Sequence, residues 1–205
     1  IAGLPDFDRG PLTNGDFDHG QILAGRLGLA DYWVARPAWN VEQPDTFSVA
    51  SMVLLDTPET QKENVAQLGF GQGTRIAAGL IKPGQTALLA QEIYNQRPGR
   101  YTFQVRLAGI VDPEFAAQWH RHFRTRIVIF RFTDLTRDVG QIAELATTEV
   151  DLRFNAPAAD WQVSRMLKDQ QGGAGELHKG IGVAVIVEKT GAAIDLKKAG
   201  CKFAA

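Results

Sequence analysis

Three oxygen-bearing side chains near the start of the chain are spaced to meet at one place. In the run Leu12-Thr13-Asn14-Gly15-Asp16-Phe17-Asp18-His19-Gly20, Asn14, Asp16 and Asp18 lie two residues apart. In an extended chain every second side chain shares a side. These three therefore gather at one rim, and Phe17 turns the other way as a core anchor. Two carboxylates and an amide suit a hard cation such as calcium. Asp195 sits in a second short alternating run, Ala193-Ile194-Asp195-Leu196, and joins Asp16 and Asp18 if the first and last strands meet. The simpler use of the same aspartates is to cap turns by accepting from nearby backbone amides.

Other chemistry-bearing types are scattered. His120 and His122 share a side if their segment is extended, and His178 lies in a Gly-rich stretch, so a three-histidine metal site is a second, less specific possibility. Arg121, Arg124, Arg126 and Arg131 suit an acidic partner or an anionic glycan, or a solvated strand edge that uses charge against aggregation. Gly69-Phe70-Gly71-Gln72-Gly73 lacks the glycine spacing and the lysine of nucleotide-binding loops. No Gly-x-Ser-x-Gly elbow occurs. The single cysteine, Cys201, excludes an internal disulfide and reads as a small buried apolar residue.

Short strands must position these groups. The clearest is Tyr101 to Leu107, where Tyr101, Phe103, Val105 and Leu107 alternate with Thr102, Gln104 and Arg106. Phe47 to Leu55, Val65 to Phe70, Thr74 to Ile81, Thr86 to Tyr94, Ile142 to Phe154, Trp161 to Leu167, Gly182 to Glu188 and Ala193 to Lys197 read as further strands, with Asn14 to Asp18 the first. Arg126 to Phe132 is apolar on both sides and belongs at a centre or under a covering loop. Asp112 to Arg124 is a long connection with room for a short helix. About ten strands with Gly-rich turns and almost no helical periodicity predict an all-β, antiparallel two-sheet sandwich.

The totals agree. A chain of 205 residues with 44% apolar content can bury a core without staples. A formal net charge of −1 gives no basis for nucleic acid or an anionic membrane as partner, and no apolar run is long enough to insert in a bilayer. Residues 1–11 hold two glycines and two prolines and read as a linker or arm before one domain over 12–205. The chain opens at Ile1 without a signal peptide, and is expected to be a mature or excised piece of a longer protein.

Four stretches, in order, resemble galactose-binding-like jelly rolls, the sandwich of many carbohydrate-binding modules attached to glycoside hydrolases. They are the Leu12–Gly20 run followed by Trp33, then Leu89-Ala90-Gln91-Glu92-Ile93 with Arg97-Pro98-Gly99-Arg100-Tyr101-Thr102-Phe103, then Asp160-Trp161-Gln162, then Ile194-Asp195-Leu196. The resemblance implies a structural calcium joining the first and last strands, although that family carries Glu where this chain has Asp18. It implies a noncatalytic module that holds a larger secreted or cell-surface protein near its glycan, with carbohydrate and the parent's other domains as partners and an extracellular, periplasmic or cell-surface location. Sugar sites offer an aromatic face and planar polar groups. Trp33 and Trp161 match core positions, which leaves Trp39, Tyr94, Arg106 and Trp119 as the expected ligand-binding residues. A protein-docking domain of the same fold is the alternative. A polysaccharide lyase or hydrolase would need Glu92, Tyr94, Arg106 and Glu144 to converge.

Overall fold

Alternation decides which surfaces are dry. The computed structural model describes residues 12–13, 15, 32–36, 48–55, 63–69, 71–72, 75–76, 80–84, 86–93, 98–109, 113–131, 143–168 and 181–195. In Gly99–Leu107 (β8) Phe103 is buried, and Thr102, Gln104 and Arg106 face water. Ala159–Leu167 (β11) pairs with it antiparallel along its whole length, from Ala159 opposite Leu107 to Leu167 opposite Gly99. Val163 points inward from β11, and Asp160, Gln162 and Ser164 point out.

Three strands are apolar on both sides and must be covered on both. They are Thr86–Ile93 (β7), Phe123–Arg131 (β9) and Ile181–Lys189 (β12). With Val34–Arg36 (β1) and Ala143–Val150 (β10) they form a five-stranded antiparallel sheet in the order β1-β7-β12-β9-β10. The segment expected at a centre is therefore at one, with β12 on one side of β9 and β10 on the other. One face of this sheet carries Ile93, Ile127, Ile129, Val150, Ile181, Val183 and Val185, which meet Phe103 and Val163 of the β8–β11 pair. That is the sandwich: two antiparallel layers with an aliphatic core between them. The opposite face carries Leu88, Ala90, Val128, Phe130, Ala184 and Ile186, none more than 3% exposed. Fully burying one such large side chain contributes about 1.5–3 kcal/mol, so both faces matter to stability.

The remaining strands pair outside these layers. Ser48–Leu55 (β2) pairs with Glu63–Gly69 (β3), Gly71–Gln72 (β4) with Arg75–Ile76 (β5), and Leu80–Ile81 (β6) with Ile194–Asp195 (β13). The run Thr74 to Ile81, expected as one strand, supplies two short ones with different partners. Residues 77–79 between them lie outside the described residues. The expected strand ending at Phe154 stops at Val150, and Asn155 turns with a left-handed backbone, φ 52°. The long connection holds two single-turn helices, Pro113–Ala116 (α1) and Trp119–His122 (α2), with Pro113 at a first helical position. Of the expected first strand, Asn14 to Asp18, only Gly15 is among the described residues, and it lies in a turn. Among those described, no helix is long and apolar enough to cross a membrane.

Candidate functional site

The apolar layer on the outer face of β7, β12 and β9 ends in charge. The alternation that points Val128 and Phe130 to that face also sends Arg124 and Arg126 there. Register sets Glu188 of β12 opposite Arg124, and Ile186 opposite Arg126. On the other flank β10 brings Glu144 opposite Phe130, just before a bulge between Glu144 and Ala146. Bulges re-aim side chains, and here Glu144 reaches back along β9 to Arg126. The result is a chain of four charges. Arg124 Nη2 donates to Glu188 Oε2 at 2.7 Å, Arg126 Nη2 approaches the same oxygen at 3.5 Å, and Arg126 Nη1 donates to Glu144 Oε1.

Arg126 is the inner member. Its side chain is 16% exposed, against 23% for Glu188, 29% for Glu144 and 41% for Arg124. The hydrogen bond to Glu188 holds the Arg124 guanidinium above the usual arginine range. The Nε–H groups of Arg124 and Arg126 are buried and meet no acceptor among the described residues. The second oxygen of each carboxylate takes no part in these pairs. Two donors and two acceptor oxygens are thus left over in a place that is neither dry nor open, where polar contacts are stronger than in water. Such a margin can hold a flat ring on a guanidinium plane and trade a proton or a hydrogen bond with a carboxylate.

The sequence pointed elsewhere. Arg124 and Arg126 read as a charged strand edge, but β9 has a strand on either side and both arginines are paired with glutamates. The legible signal was the combination of Arg-x-Arg at the head of an apolar strand with Glu188 at the tail of another. Of the expected ligand-binding residues, Trp39 and Tyr94 lie outside the described residues. Arg106 stands on the water-facing side of β8, with Nε 3.1 Å from Asp160 Oδ1 and both side chains about half exposed. An ion pair of that exposure contributes about 0–1 kcal/mol. Trp119 is a correction. It is 6% exposed, with ring centroids 4.6 Å from Phe123, 5.0 Å from Phe154 and 6.0 Å from Phe115. The single turn of α2 directs it into an aromatic cluster, so it presents no face to a sugar. The set imagined for a polysaccharide-active enzyme does not converge either, because Arg106 and Glu144 project from opposite outer faces of the sandwich.

The metal candidates are also placed. Asp16 and Asp18 lie outside the described residues. Asp195 closes β13 opposite Leu80, and its side chain lies outside them as well. Of the three histidines, His178 is outside. His120 and His122 are on a helical turn, where a spacing of two separates side chains. His120 Nε2 is 3.5 Å from Asp151 Oδ1, while His122 stacks at 6.4 Å on Phe115. Among the described residues no three of His, Cys, Asp and Glu gather as a metal site.

A second polar centre is structural. Lys189 ends β12 and is 1% exposed. Its ammonium donates to the carbonyls of Thr190 and Ala192 and lies 5.5 Å from the Phe123 ring centroid. The Thr190 amide donates to His122 O at 2.8 Å, and the Gly84 amide to Lys189 O at 2.9 Å. Burial pushes the Lys189 ammonium below the usual lysine range. Burial, then the charges of Lys189 and Arg121, push His122 below 6.5. The folded state therefore takes up a proton on His122 less readily than the unfolded chain does. The contribution is fully present above pH 6.5 and is lost as pH falls through the folded value. Melting temperature should fall as pH drops below about 6.5, and His122→Gln should flatten that slope. An identical slope in the variant would assign the acid lability to other groups.

No family model and no curated protein matches this chain. Solved structures do. The Stig cyclase Fisc from Fischerella sp. TAU, in complex with (3Z)-3-(1-methyl-2-pyrrolidinylidene)-3H-indole, aligns with a TM-score of 0.52 at 13% identity, over 95% of this chain and 98% of its own. A cyclase from Fischerella sp. TAU in complex with 4-(1H-indol-3-yl)butan-2-one aligns with a TM-score of 0.49 at 14% identity, over 95% and 98%. The first likeness establishes the fold. It also corrects the expectation of a noncatalytic carbohydrate-binding module. That expectation rested on the motif resemblance and on loop aromatics, and the sandwich is shared along nearly the whole chain with a cyclase. The chain is an all-β sandwich whose fold also carries catalysts.

Proposed function

We propose that this protein is a β-sandwich enzyme that performs acid–base chemistry on a small, flat, nitrogen-bearing substrate. Glu144 and Glu188 are the proton-transfer groups, and Arg124 and Arg126 hold them in place. The observation that carries this reading is the half-buried network itself: two carboxylates, each with one oxygen outside its arginine pairs, set at the margin of a fully buried apolar layer. Paired carboxylates in a partly dewatered place are what proton transfer to and from a ring system needs. The guanidinium planes and methylene stems give an aromatic ring something to lie on. An indole of the kind held by the Fischerella cyclase has the required shape, and serves as the first probe. We read the sandwich as a galactose-binding-like jelly roll, which the order of the four sequence stretches supports.

The test is binding of 3-substituted indoles, followed by NMR of the arginine Nε–H groups. A ligand seated at the network should shift the Arg124 and Arg126 signals and leave that of Arg106, on the far face, in place. Saturable shifts at Arg106 alone, or none in a panel of nitrogen heteroaromatics, would overturn the placement.

A further inference from the structure

Gln91 occupies the middle of β7, between β1 and β12, and is 3% exposed. It is opposite Val183, so its side chain enters the layer between the five-stranded sheet and the β8–β11 pair. A carboxamide buried among aliphatic side chains is destabilising unless both its ends are bonded. Both are, and by one residue. Gln91 Nε2 donates to Thr13 O at 2.7 Å, and Gln91 Oε1 accepts from the Thr13 amide at 2.8 Å. This is the reciprocal exchange that two antiparallel strands make at a hydrogen-bonded pair. Here a side chain supplies one strand's half to a backbone 78 positions away. Leu12, the preceding residue, packs against the same aliphatic cluster.

We infer that Gln91 is a latch, and that residues 12–13 are a strap it fastens over the apolar layer. Lifting the strap frees both ends of a buried amide beside Ile93 and Val183. The opened place takes a small apolar molecule that carries a neighbouring N–H and C=O, because those are the groups Thr13 supplies. Nothing in this inference depends on the ionic network, which lies on the other face of the sheet. Thr13 contributes only backbone atoms, so the latch is indifferent to the side chain at 13 and sensitive to the amide at 91.

The experiment is hydrogen exchange of the Thr13 amide, with 1-anilinonaphthalene-8-sulfonate fluorescence reporting access to the layer. Gln91→Leu keeps the apolar volume and removes both bonds. It should speed exchange at Thr13 at least tenfold and raise dye fluorescence, with the β12 amides as protected as in the wild type. Thr13→Pro removes the donor and leaves Gln91 in place, and decides the matter if Gln91→Leu does not fold. It too should raise dye fluorescence. Unchanged exchange at Thr13 in Gln91→Leu, or unchanged dye fluorescence in Thr13→Pro, overturns the latch. Faster exchange spread evenly over β7 and β12 also overturns it, because that marks a loosened core rather than a lifted strap.

Discussion

Gly182→Ala is expected to lower stability by about 2–3 kcal/mol, although it adds a single methyl group. A Cβ at 182 would lie 2.2 Å from Phe130 Cζ and 2.5 and 2.7 Å from the two Cε atoms. Phe130 is fully buried, on the strand directly across, with Gly182 as its register partner. The ring is 0% exposed, and dense interiors do not yield by ångströms. Urea unfolding would show the loss as a lowered midpoint with an unchanged slope. The cause is local, so it should be repairable. Phe130→Leu makes room for the methyl, and the double variant should recover about 1–2 kcal/mol relative to the sum of the single changes. Strict additivity would mean that the ring and the missing methyl are not in contact.

Lys189→Ala is expected to be costlier, about 3 kcal/mol or more, because three losses coincide. The carbonyls of Thr190 and Ala192 lose a charged donor, the Phe123 ring loses its cation, and a cavity opens in a site that is 1% exposed. The loops around Gly84 and His122 are tied to the same corner through Lys189 O and the Thr190 amide, so their amides should exchange faster together. Lys189→Met separates the causes. It refills the volume and sheds the desolvated charge, leaving only the two carbonyls unbonded, and should cost clearly less than alanine. Equal losses for the two variants would place the whole effect in the hydrogen bonds.

Much of the architecture was legible, for reasons that differ from element to element. Tyr101 to Leu107 alternates so strictly that only one face can be dry. Arg126 to Phe132 is apolar on both sides and had to lie between layers. Thr74 to Ile81 misled, because pairing partners are not written in a stretch: Arg75–Ile76 pairs with Gly71–Gln72, and Leu80–Ile81 with Ile194–Asp195. The aromatics misled for another reason. Position in a long connection made Trp119 look exposed, but one helical turn was enough to rotate it into contact with Phe115 and Phe123. The ionic network was hidden because its members lie on three strands and 64 positions separate Arg124 from Glu188. Only sheet order and a bulge at Glu144 bring them together, and neither is written in any one stretch. The step from motif resemblance to a noncatalytic role failed because a sandwich does not fix what it does.

Under the proposed function, the network of Arg124, Glu188, Arg126 and Glu144 does chemistry. The most direct measurement is product formation from a panel of 3-substituted indoles under single-turnover conditions, with wild type beside Glu188→Gln and Glu144→Gln. Glutamine keeps the shape and removes the proton-transfer group. The wild type should turn over, and activity should fall roughly a hundredfold or more in at least one variant, with binding weakened far less. Turnover that survives both substitutions, or falls only in step with binding, would contradict the proposed function.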